Sequence, residues 1–84
     1  MDLNNARIKI NDIDKEIVIL LEKRFDIVME IGKYKKENCI SVYDKGREET
    51  VVQNCVVNLK NQNYAQCIKN IYKQIMNTCK ELEN

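Results

Sequence analysis

Little in this chain can stop a helix. Its 84 residues include no proline, and the two glycines, Gly32 and Gly46, stand apart. These are the residue types that cost a helix interior most, ~3 and ~1 kcal/mol relative to alanine. From about Asn5 to Lys36 the apolar side chains also keep a heptad-like beat. Leu3, Ile10, Ile17 and Ile31 form one row; Ala6, Ile13, Leu20, Ile27 and Tyr34 form the other. That spacing gathers both rows on one helical face. The first row passes through position 24, which holds an arginine.

The beat fails from Glu37 to Tyr43, where Asn38, Ser41 and β-branched residues suggest a short loop. Asp44 can cap a second helix, with Glu48 and Glu49 in its first turns, where the helix dipole favours anions. This helix is expected to run from about 44 to 60 on Val51, Val52, Cys55, Val56 and Leu59. Asn61-Gln62-Asn63 reads as a turn. A third helix is expected over about 64–82, burying Tyr64, Ile68, Ile71, Tyr72, Ile75, Met76, Cys79 and Leu82. The fold class is therefore all-α, one domain over 1–84, with a long, a short and a medium helix.

Length then becomes an argument. A first helix over 5–36 measures ~48 Å at 1.5 Å per residue. A compact domain of this size has a radius of gyration near 12 Å, hence a diameter of roughly 30 Å. The helix must protrude with its apolar positions bare, unless it kinks near Gly32 or a second copy covers it. The second solution, an intertwined helical homodimer, is the one expected.

The formal net charge is +1 and well mixed along the chain, unlike a nucleic-acid binder with a clear basic excess. Met1 to Lys9 has no apolar core of the kind a signal peptide carries, and no segment approaches the roughly 20 apolar residues of a membrane span. The expected location is the cytoplasm. Cys39, Cys55, Cys67 and Cys79 form no CxxC pair, and no histidine is available to complete a zinc site. Cys55, Cys67 and Cys79 fall on apolar stripes, as reduced thiols packed like small hydrophobes.

Arg24 stands where the heptad wants an apolar side chain, so something anionic should meet it. One reading is an ion pair with an acid such as Asp14 or Glu48. The other is a socket for a ligand carboxylate, which arginine grips bidentately. Lys35 lies 11 residues beyond Arg24, nearly on the same face and ~16 Å along. Arg7 lies 17 residues before it, ~25 Å away and turned by roughly 100°. A small ligand cannot touch both arginines of one straight helix, but it can touch one from each of two antiparallel copies. Asp44-Lys45-Gly46-Arg47-Glu48 opens the second helix and is adequately explained by capping and local charge pairs. Cys79 and Glu83 continue the stripe of Tyr72, Ile75 and Met76, so Glu83 should look inward, though a solvated terminal acid is the simpler reading.

Taken together, Arg7, Ile13-Asp14-Lys15-Glu16-Ile17, Leu20-Leu21-Glu22-Lys23-Arg24, Ile31-Gly32-Lys33-Tyr34-Lys35 and Asp44-Lys45-Gly46-Arg47-Glu48 resemble the all-helical chorismate mutase family. The family pattern is an Arg on the first helix, then IDxxI, LLxxR, IxxxK and D-x-x-R-E. The match runs without a gap from Arg7 to Glu48, and the third helix also fits in its I-x-x-I-Y-x-x-I-M run. The resemblance implies a Claisen rearrangement of chorismate to prephenate, on the route to phenylalanine and tyrosine. That reaction is concerted within one molecule and needs no cofactor, metal or nucleophile. It further implies that Arg24 and Arg7 of the partner subunit grip the two substrate carboxylates. Lys35 would donate to the ether oxygen, Glu48 and the backbone at Asp44 would hold the ring hydroxyl, and Arg47 would support the charged wall.

Two positions depart from the commoner pattern. Many members have Ser where this chain has Cys79, a weaker donor, and Gln where it has Glu83. A carboxylate cannot donate to the ether oxygen, but a carboxylic acid can. The helix C-terminus, the chain carboxylate and burial all disfavour ionisation there, so activity is expected to fall as pH rises. Two rivals share the sequence features: an isochorismate–pyruvate lyase of the same architecture, and a non-catalytic helical interaction or regulatory module with Arg24 in a structural ion pair.

Overall fold

The computed structural model describes residues 1–84. It contains three α-helices and no strands: α1 over Leu3–Glu37, α2 over Lys45–Val57 and α3 over Ala65–Glu83, with a single 3-10 turn over Gln62–Tyr64 before α3. Helix α1 starts two residues earlier than expected because Asp2 caps it, its carboxylate accepting from the backbone N–H groups of Asn4 and Asn5 at 3.0 and 3.4 Å. It ends without a glycine. Cys39 takes the left-handed conformation at φ 55°, the Ile40 N–H donates to the Lys35 carbonyl at 2.8 Å, and the Cys39 N–H donates to Lys36 at 3.4 Å. This pair of bonds closes the last turn and sends the chain back beside Lys35.

Asp44 caps α2 by accepting from the Arg47 N–H at 3.0 Å. The helix stops at Val57 rather than near 60, because side chains take its last carbonyls. The Asn58 amide donates to Asn54, and the Gln62 amide donates to both Val56 and Leu59, all at 2.9 Å. Such caps satisfy groups that a helix end leaves open.

Helix α3 packs against both α1 and α2. Only four of the 84 residues are buried, Val28, Gly32, Cys79 and Glu83, so one chain scarcely makes a core by itself. Helix α1 is continuous through Gly32, and the molecule is 54 Å long with a radius of gyration of 15.8 Å. A kink near Gly32 is thereby excluded. The C-terminal half of α1 turns Leu21, Phe25, Val28 and Gly32 toward α3. Its N-terminal half continues the same stripe through Leu3, Ile10, Ile13 and Ile17, which remain 56, 55, 51 and 46 % exposed.

Three members of the expected α3 core face outward instead: Tyr64, Ile71 and Leu82. Tyr64 precedes the helix, and Ile71 and Leu82 fall outside the stripe that meets α1 and α2. All four cysteines are unpaired. Cys79 is buried and Cys55 half-buried, whereas Cys67, expected on an apolar stripe, is exposed with Cys39. No helix is long and apolar enough to cross a membrane.

Candidate active site

Where α1, the start of α2 and the end of α3 converge, they enclose a cavity of about 260 Å³. Its polar lining comes from Arg24 and Lys35 on α1, Asp44, Arg47 and Glu48 at the α2 N-terminus, and Cys79, Lys80 and Glu83 on α3. Val28, Ile31, Val42, Val51 and Met76 supply its apolar walls. Each arrives for a local reason. Heptad spacing turns Arg24 and Lys35 to the α3 side of α1, the Asp44 cap presents the first turn of α2, and helical spacing lines Met76, Cys79, Lys80 and Glu83 along one flank of α3.

The half-buried Arg24 has no acidic partner within the chain. Its guanidinium donates to the Cys79 sulfur at 3.0 Å. Asp14 and Glu48, the acids named above as possible partners, do not pair with it: the two ion pairs present are Lys35–Glu83 at 2.9 Å and Lys80–Glu48 at 2.8 Å. A thiol is a weak acceptor, so the charge of Arg24 is oriented without being neutralised. Tyr72 stands behind it. Its hydroxyl is pushed above the ordinary value of 10.0, first by a hydrogen bond with Cys55 and then by burial, while the charge of Arg24 pulls it the other way. Tyr72 therefore stays neutral at physiological pH and supplies no counter-charge.

The ammonium of Lys35 donates to the Val42 carbonyl at 3.2 Å and pairs with the buried carboxylate of Glu83. The last turn of α3 is thus docked on α1, and Glu83 is not a frayed, solvated end. Lys80 is a wall residue that the sequence reading above overlooks. It pairs with Glu48 and sits 5.1 Å from the centroid of the Tyr43 ring. Its spacing of four from Met76 and three from Glu83 would have revealed it, since both neighbours lie on the inward stripe. Seven of the eight residues expected at the site meet at this one cavity. The eighth, Arg7, is exposed on the N-terminal half of α1 and does not line it.

Four cations and three carboxylates line the cavity, leaving one positive charge uncompensated. An all-helical domain with a half-enclosed, net cationic pocket and an arginine lacking an acidic partner has the site of a small-anion binder. The particular kind of domain follows from comparison with known proteins. Residues 6–84 match the chorismate mutase type II family, and the chain belongs to it. It is also 34 % identical, over 98 % of its own length, to a bifunctional chorismate mutase/prephenate dehydratase of Buchnera aphidicola subsp. Acyrthosiphon pisum (strain APS). The chain spans about a quarter of that relative's length, 24 %.

Proposed function

We propose that this domain converts chorismate to prephenate as an intertwined homodimer. The observation that carries the reading is Arg24, part-buried in a net cationic cavity with only a thiol for company. Membership of the mutase family supplies the substrate. In the reaction the ether C–O bond breaks as a C–C bond forms within the same molecule, while negative charge grows on the ether oxygen. The protein contributes by holding the reactive diaxial chair and by placing donors where that charge appears.

Arg24 grips one carboxylate, and Arg7 of the partner subunit grips the other. The bare stripe of Leu3, Ile10, Ile13 and Ile17 supports this arrangement, because an antiparallel copy of α1 laid on it brings a second Arg7 toward the cavity. That arginine raises the uncompensated charge to two, the charge of the substrate. Lys35 donates to the ether oxygen and assists the side-chain carboxylate. Glu83 holds the Lys35 ammonium at the cavity through their ion pair. Glu48 and the backbone at Asp44 hold the ring hydroxyl. Arg47 supports the cationic wall, and Cys79 orients Arg24.

The test is to add purified protein to chorismate, follow the loss of its ultraviolet absorbance, and identify prephenate by acid conversion to phenylpyruvate. Turnover of isochorismate in preference to chorismate would make the protein a lyase. Turnover of neither would leave a binding module and end the proposal.

A further inference from the structure

Gly32 lies one turn before Lys35 on α1, where the last turn of α3 comes closest. A Cβ on Gly32 would stand 2.8 Å from the Glu83 Cα, 3.0 Å from its carbonyl oxygen and 3.3 Å from its Cβ. The two nearest are backbone atoms, so no change of rotamer relieves the clash. Gly32 does not have positive φ, so backbone freedom is not the reason for a glycine here. A glycine inside a helix is a loss relative to alanine; what it provides is proximity. Lys36 secures the same turn from outside, its ammonium donating to the Asn84 carbonyl oxygen at 2.6 Å.

We propose that Gly32 is a positioning residue: its missing side chain sets the α1–α3 spacing at which the Glu83 carboxyl enters the cavity beside Lys35. The proposal rests on the mutase reading and extends it. With alanine at 32, the nearest contact must open from 2.8 Å to at least 3.4 Å, so the last turn of α3 retreats by about 0.6 Å. A misplacement of about 1 Å can cost ~10²-fold in rate. Gly32→Ala should therefore lower kcat by about ten- to a hundredfold and leave KM nearly unchanged.

The experiment is a cycle of four proteins (wild type, Gly32→Ala, Glu83→Ala and the double variant), each measured for chorismate turnover and melting temperature. Glu83→Ala keeps the Cα, carbonyl and Cβ that Gly32 faces, so the packing clash survives it. Gly32→Ala should then shift the melting temperature equally in both backgrounds, yet reduce kcat only where the Glu83 side chain is present. An equal loss of turnover in both backgrounds overturns the proposal, as does wild-type kcat in Gly32→Ala. If Gly32→Ala does not fold, Lys36→Met releases the same turn from an exposed position. A kcat loss that disappears in Glu83→Ala supports the inference, and one that persists overturns it. Absence of chorismate turnover in the wild type is a different result, which sinks the mutase reading and this inference with it.

Discussion

Replacing Ile17 by glutamate tests the dimer on which the proposed site depends. Ile17 continues the stripe of Leu21 and Val28 but is 46 % exposed in the single chain. Burying an isoleucine fully is worth ~1.5–3 kcal/mol, so covering the open 46 % contributes about 1 kcal/mol per chain. Glutamate forfeits that contribution and sets a carboxylate against apolar surface, at an effective cost of several kcal/mol per ion. A two-fold axis applies the change twice. The total is at least ~5 kcal/mol, which weakens association by more than ~10³-fold. Glutamate is a good helix former, so α1 itself is not broken. Sedimentation over a range of protein concentrations, with turnover measured on the same samples, should show a wild-type dimer and a dissociated, inactive Ile17→Glu. A wild type that sediments as a folded 9.9 kDa monomer refutes the reasoning, as does an Ile17→Glu protein with wild-type association and activity.

Arg7→Ala and Arg24→Ala should each be nearly inactive while remaining folded dimers. Mixing and re-equilibrating them should restore about a quarter of wild-type activity, since half the dimers become mixed and each has one intact site; no recovery would place both arginines in one chain's site. Lys80→Met should raise KM by about two- to fivefold and lower stability by less than ~1 kcal/mol, the size of a partly exposed ion pair. Steady-state kinetics and thermal melting measure the two effects.

The helices were legible because their signals are local: spacing for α1, an Asp cap for α2, an apolar stripe for α3. Even the incomplete core was foreshadowed, since a helix of that length cannot be covered by the 47 residues that follow it. The end of α2 was not legible, because amide groups of Asn58 and Gln62, outside the helix, decide which carbonyls are satisfied. Nor was the pairing of charges. Periodicity places Lys35, Glu48, Lys80 and Glu83 on inward faces, but who meets whom depends on how far α3 slides along α1. Gly32 fixes that register by a contact between residues 51 apart in sequence. The inward face of Lys80 was legible from its spacing; its pairing with Glu48 and its place over the Tyr43 ring were not, because both partners lie in other segments.

The ion pair between Lys35 and Glu83 has a consequence for selectivity. The Glu83 carboxylate already answers the Lys35 ammonium, so the charge left open to an arriving anion in one chain is that of Arg24. A small acid with one negative group can meet Arg24, but it finds Lys35 already paired. In the proposed dimer a second anionic arm meets Arg7 of the partner subunit, so a two-armed ligand gains a contact that a simple acid forgoes.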